Sequence, residues 1–220
     1  MSKKLSFLKI GLVVIAVNTY CSYGYAAKAH KELTIAAEHQ EYLNKMPTDV
    51  QLGNDNAPVT VIEYSSLSCP HCAHFHHNVF PDFKTKYIDT GKVKYIHRDF
   101  PLDKVALKGA TLTHCAGKDR YYTFLKVLFE KQESWAFAKN YLEVLENIAK
   151  LGGISGDKFH ACEQDKTLED SIIQTRQMAT NIFKIDATPA FVINGKVYNG
   201  ALNMKDLEEI LAEALVQPKK

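Results

Sequence analysis

Cys69 and Cys72 stand two residues apart in CPHC, inside a stretch, EYSSLSCPHCAHFHH (residues 63–77), that also carries His71, His74, His76 and His77. Two chemistries use such a set. Thiolates and imidazoles together bind zinc. Two thiols one helical turn apart also open and close a disulfide. As a metal site the stretch offers Cys69, Cys72 and His76 at i, i+3 and i+7, on one helical face. Structural zinc sites usually draw a second ligand pair from elsewhere in the chain, and no second compact pair exists here. Four ligands from one helix do not readily surround a tetrahedral ion. No metal is therefore expected, and His74, His76 and His77 read as a solvated helix face.

The thiol reading makes specific demands. A β-branched apolar run, VTVIEY (59–64), precedes the pair, and a helical pattern follows it. Cys69 would then sit at a helix N-terminus, where free N–H groups and the positive end of the dipole favour an anion. The thiolate is the reactive species in exchange. Cys72, one turn later, would face inward and act as the resolving thiol. His71 can donate to the Cys69 sulfur or place charge beside it. Glu63, at the end of the strand, has two readings: a buried proton acceptor under the site, or a paired structural carboxylate.

These residues need a scaffold. The chain has 220 residues, 46% hydrophobic and 24% charged, which suits one globular domain carrying an insertion. A formal charge of +2 offers no basis for nucleic-acid binding. Lys3 and Lys4, the apolar run IGLVVIAV (10–17) and the small residues of YGYAAKAH (23–30) follow the order of a secretory signal peptide. Cleavage after Ala26 or Ala29 fits that template, so residues 1–26 are read as signal, with Cys21 inside it. An uncleaved amphipathic anchor is the other reading. The run is too short to span a membrane.

Residues 27–47 have helix-forming composition and stop at Met46-Pro47. After VTVIEY comes a helical pattern to Tyr87, with Pro81 as a kink, and then a second strand, KVKYIHRDF (92–100). Residues 103–183 show successive helical patterns and no convincing strand. TPAFVINGKVYNGAL (188–202) carries Asn194-Gly195, a strong hairpin turn, and an amphipathic helix with Asn203 as N-cap closes the chain. The order is strand, helix, strand, helical block, hairpin, helix. It describes an α/β protein, a thioredoxin fold with an inserted all-helical domain. Residues 48–102 form its first part, 103–183 the insertion and 184–220 its second part.

Cys115 and Cys162 both fall in the insertion, each near a helix end. An even number of cysteines in an exported chain favours a disulfide, and closing this loop is worth about 4 kcal/mol in the chain-entropy model. The other reading is two separate buried thiols.

CPHC after a strand, a helical insertion and a later Thr-Pro before a strand together resemble the DsbA-type thiol:disulfide oxidoreductases of bacterial envelopes, over most of residues 48–215. The resemblance implies that Cys69 is the attacking cysteine and Cys72 its buried partner, with Pro70 and His71 setting the redox poise. It implies that Pro189 is the cis-proline facing the sulfurs and that the backbone of Thr188 pairs with an extended substrate. Thr188 departs from the valine often seen there in DsbA oxidases. The implied protein is a periplasmic monomer without a cofactor. It passes its disulfide to unfolded exported proteins and is regenerated by a quinone-linked membrane partner. An envelope isomerase or reductase is the alternative, but such proteins generally carry an oligomerisation module ahead of the fold. About twenty residues between the signal and Pro47 are too few for one. Phe75, Phe183 and Phe191 are candidates for an apolar substrate groove, or for the core.

Overall fold

The computed structural model describes residues 33–34, 41–43, 46 and 48–216. The signal segment, with Cys21, lies outside the described residues. The sheet has six strands: β1 (Leu33–Thr34), β2 (Val50–Leu52), β3 (Val59–Ser65), β4 (Val93–Asp99), β5 (Ala190–Ile193) and β6 (Lys196–Asn199). Their spatial order is β1-β6-β5-β3-β4-β2. β3 and β4 are parallel, joined over the sheet by α1 (Pro70–Asn78), α2 (Phe80–Phe83) and a short π-helix (Lys84–Ile88). β5 and β6 form the hairpin, antiparallel to β3 through β5. Asn194 and Gly195 supply the two positive φ angles, 44° and 86°, that a tight two-residue hairpin turn needs.

β3 sits at the centre of the sheet and is buried along its whole length, including the polar Thr60, Glu63 and Ser65 among its apolar residues. Its alternation divides two cores. Val59 and Val61 face Phe75, Phe83, Leu207 and Leu211, from α1, α2 and α9 (Met204–Val216). Ile62 and Tyr64 face Ala179 and Phe183 of α8 (Lys166–Phe183). Each such side chain removed from water contributes about 1.5–3 kcal/mol. α9 starts at a reciprocal cap: Asp206 N–H donates to Asn203 Oδ1 (3.0 Å) and Asn203 N–H to Asp206 Oδ2 (3.1 Å).

A third core belongs to the helices between β4 and β5: α3 (Lys104–Cys115), α4 (Tyr121–Glu130), α5 (Gln132–Trp135), α6 (Tyr141–Leu151), α7 (Gly156–Glu163) and α8. Trp135 is fully buried there and donates its indole N–H to the Leu128 carbonyl (2.8 Å). Gly109 of α3 lets that helix approach, because a Cβ there would fall 2.7 Å from the Trp135 ring and 3.1 Å from Leu67. Leu67, Cys69, Cys72 and Ala73 belong to this same core. The helical block therefore packs directly on the CPHC segment. Cys115 and Cys162 are joined as a disulfide, tying α3 to α7 with their Cα atoms 6.0 Å apart.

The structure departs from the sequence reading at the N-terminal segment. Leu33–Thr34, inside the stretch expected to be helical, pairs antiparallel with Val197 and Lys196 of β6. The free edge of the hairpin supplies hydrogen-bond partners that outweigh helical composition. On the opposite edge β2, which the sequence reading does not contain, pairs with β4. It is anchored by a buried ion pair: Asp49 accepts from Arg98 Nε (2.9 Å) and from Arg98 Nη2 (2.8 Å).

Candidate functional site

Strand β3 ends at Ser65, and the chain turns through Ser66–Ser68 before α1. Cys69 N–H donates to the Ser66 carbonyl (3.0 Å), which fixes the turn. The Ser68 hydroxyl donates to Asp103 Oδ2 (2.7 Å), and Asp103 also caps α3 by accepting from Ala106 N–H (2.7 Å). Gln132, buried in α5, donates its side-chain amide to the carbonyls of Leu67 (2.8 Å) and Cys69 (3.1 Å). The loop before the cysteines is thus held from the helical block as well as from the sheet.

Cys69 is the N-cap of α1, in extended conformation, and Pro70 occupies the first helical position, where no N–H is needed. The Cys72 and Ala73 N–H groups both donate to the Cys69 carbonyl (3.1 Å each). The two thiols are unbonded to each other. Their environments push them in opposite directions. Donation from the Cys72 thiol is the largest influence on Cys69. The Thr188 hydroxyl and the N–H groups of Cys72 and His71 add to it, and against burial they bring Cys69 from the ordinary 9.0 down to about 5. Cys72 is wholly buried, and burial first, then the neighbouring Cys69 and Glu63 charges, push its thiol far above the ordinary range. One sulfur is held as an anion at neutral pH while the other keeps its proton.

Thr188 and Pro189, 119 residues further on, meet this pair. The Thr188–Pro189 peptide is cis, and the Thr188 carbonyl lies 3.4 Å from Cys69 Sγ. The Thr188 hydroxyl is buried with no partner in hydrogen-bonding geometry. His71 is exposed at the first turn of α1. Cys69, Pro70, His71, Cys72, Thr188 and Pro189 are therefore one neighbourhood, while Cys115–Cys162 lies in the helical block.

Beneath the cysteines is a charged cluster. Glu63 is fully buried and accepts from the Tyr95 hydroxyl and, at 3.2 Å, from His76 Nε2. Burial works to raise its pKa, yet the charge and hydrogen bond of His76, then His97 and Tyr95, outweigh it and leave Glu63 below the usual value. His97, across from Glu63 on β4, is held low by burial.

One expectation changes here, and one open choice closes. His76 is not on a solvated face: its side chain is 6% exposed, stacked on Phe129 with ring centroids 4.2 Å apart and turned to Glu63. It lies one turn beyond the buried Cys72, so its spacing already placed it on the inward face. Phe75, Phe183 and Phe191, left open between groove and core, are all core residues, 1%, 0% and 0% exposed. Among the described residues no three His, Cys, Asp or Glu side chains converge as metal ligands. Gln132 and Tyr95 were not singled out from the sequence, and no local pattern marks either.

The family model described as Thioredoxin matches residues 45–213. Among solved structures, α-DsbA1 of Wolbachia pipientis is similar, with 38% identity and a TM-score of 0.75, covering 80% of this chain and 96% of that one. BdbD of Bacillus subtilis shares the fold at 24% identity and a TM-score of 0.70, covering 78% of this chain and 95% of that one. A curated Rickettsia felis protein assigned to the protein-disulfide oxidoreductases is 34% identical over 173 residues, 78% of this chain. The chain spans 62% of that relative's length.

Proposed function

The chain belongs to the DsbA-like thiol:disulfide oxidoreductases of the thioredoxin family, and on that premise we propose that it donates a Cys69–Cys72 disulfide to unfolded exported proteins. The observation that carries this reading is the placement of the two sulfurs: Cys69 at the N-cap of α1, 3.4 Å from the Thr188 carbonyl at the cis peptide, and Cys72 wholly buried one turn further on. A stabilised Cys69 thiolate favours the reduced enzyme, which makes its disulfide the better oxidant. It is also the better leaving group when a mixed disulfide resolves toward the client.

In the proposed reaction a client thiolate attacks Cys69 Sγ of the oxidised protein. The Cys69–Cys72 bond breaks, its electron pair goes to Cys72 Sγ, and Cys72 takes up a proton. A second client thiolate then attacks the client sulfur of the mixed disulfide and expels the Cys69 thiolate. The client is oxidised and the protein reduced by two electrons. Thr188 backbone beside Cys69 suits an extended client chain, and Pro70 and His71 set the poise of the pair. A membrane-bound, quinone-linked oxidase would restore the disulfide in the periplasm. Among the described residues no helix is long and apolar enough to cross a membrane.

The test is a Cys72→Ala variant, which keeps Cys69 but removes the thiol that competes with the client for it. Activated with a small disulfide and offered a reduced unfolded protein, it should accumulate a mixed disulfide at Cys69. Failure to form one, with Cys69 intact and the protein folded, would overturn the reading.

A further inference from the structure

One corner of the helical block, where α4 ends and α5 begins, holds α1 at two points. Late in α1, His77 Nε2 lies 3.2 Å from the Phe129 carbonyl, and His76 stacks on the Phe129 ring. At the start of α1, the Gln132 amide reaches two carbonyls two residues apart, Leu67 (2.8 Å) and Cys69 (3.1 Å). Both bonds come from Nε2, so each of its two hydrogens has one acceptor. The corner is braced in turn. Trp135 donates to the Leu128 carbonyl (2.8 Å), Lys131 N–H to the Val127 carbonyl (2.9 Å) and Ala136 N–H to the Gln132 carbonyl (2.8 Å). Gln132 and Trp135 are both buried, so little water competes for the amide.

The bond to Cys69 is not there to satisfy an orphan. That carbonyl already accepts from the Cys72 and Ala73 N–H groups, and two lone pairs need no third donor. What Gln132 adds is direction. Its two bonds pin the Leu67–Ser68 and Cys69–Pro70 peptide planes, one on each side of the reacting residue. Pro70 has no N–H by which the second plane could be held from its other edge. Cys69 is kept at φ −86° and ψ 119°, the extended conformation of an N-cap, with Sγ 3.4 Å from the Thr188 carbonyl. Without the clamp the Cys69–Pro70 plane is free to turn about ψ. That changes how the sulfur faces the start of α1, whose favourable field fades within one turn.

We infer that Gln132 is a positioning residue for the reaction: it fixes the backbone on both sides of Cys69, and through it the helical insertion sets how well that sulfur attacks and leaves. The insertion then tunes the dithiol as well as covering it. Gln132 touches no sulfur and acts only through the carbonyls it holds.

The test compares Gln132→Met, which keeps the length of the side chain and removes the donor, with Gln132→Ala and Leu145→Ala. Leu145 is buried on α6 in the same core, so its truncation loosens the block and leaves the clamp itself in place. Two readouts are taken: the pH midpoint of Cys69 alkylation by iodoacetamide in the reduced protein, and the equilibrium with glutathione at pH 7. The wild-type midpoint lies near 5. Both Gln132 variants should raise it to about 6, the loss of most of a helix N-terminus at a partly buried group. Only the reduced form carries the thiolate, so the glutathione equilibrium should shift about tenfold toward the oxidised protein. Leu145→Ala should unfold at lower urea and leave both readouts unmoved. A folded Gln132→Met with the wild-type midpoint and equilibrium overturns the inference, however much stability it has lost, since Gln132 would then be a strut. An equal shift in Leu145→Ala overturns it too, because any loosening of the block would serve. Met fills the site, so it decides the matter even where the Ala variant fails to fold. The inference rests on the oxidoreductase reading for the identity of the reacting sulfur. A wild-type protein that forms no Cys69–Cys72 disulfide with glutathione would sink that reading, while alkylation, which needs no disulfide, would still decide whether Gln132 governs Cys69.

Discussion

Acid should weaken the reduced protein more than the oxidised one, by an amount set at Cys69. Its thiol falls from the ordinary 9.0 to about 5 on folding, so the stabilisation is full above about pH 9 and shrinks as pH falls, vanishing below about 5. At pH 7 the thiolate outnumbers the thiol by about 100 to one. Two pKa units remain in force there, an upper bound of about 2.7 kcal/mol. Solvent beside the N-terminus of α1 screens part of it, so about 1–2 kcal/mol is the working figure. Buried carboxylates such as Glu63 and Asp99, both held below the usual range, also titrate as pH falls, but they do so in both redox forms. Denaturant unfolding of the reduced and oxidised proteins at pH 7 and pH 4, followed by Trp135 fluorescence, isolates the difference. The reduced protein should lose about 1–2 kcal/mol that the oxidised protein keeps. Iodoacetamide alkylation of Cys69 should independently show a midpoint near 5. A midpoint near 9, or equal acid sensitivity of the two forms, would refute the idea that the N-terminus of α1 and its neighbours hold a thiolate.

Thr188→Val removes the hydroxyl that favours the Cys69 anion, so the alkylation midpoint should rise; an unmoved midpoint would mean the hydroxyl does not reach the sulfur. Gln132→Ala leaves the Leu67 and Cys69 carbonyls without their buried donor and should cost about 2–3 kcal/mol in urea unfolding, while a loss under 0.5 kcal/mol would show the loop is held without it. Replacing Cys115 and Cys162 together by Ala opens a loop with a sequence separation of 47 and should cost about 4 kcal/mol, less if the reduced chain stays compact. Thermal unfolding of that variant against the parent measures it, and an unchanged transition would assign the bond no stabilising role.

Much of the site was legible because its chemistry is local. A strand, a helix start and two cysteines one turn apart specify where each sulfur sits and which one lies deeper. The hairpin was legible for a similar reason, since Asn194-Gly195 accepts positive φ on both residues. What escaped was set by distant partners. β1 and β2 exist because sheet edges needed covering, and two or three residues carry no periodicity of their own. His76 was misjudged because four histidines within residues 71–77 look polar, while the face it shares with Cys72 points inward. Gln132 lies 63 residues from the carbonyl it holds, and only packing of the helical block on α1 brings them together.

The central claim is that this dithiol gives away its disulfide. It is tested most directly by the equilibrium of Cys69–Cys72 with glutathione, measured together with oxidation of a reduced, unfolded protein. The account predicts a potential well above that of reducing thioredoxins and fast oxidation of the unfolded chain. A strongly reducing potential, with activity on scrambled rather than reduced substrates, would contradict it and move the protein to the isomerases or reductases.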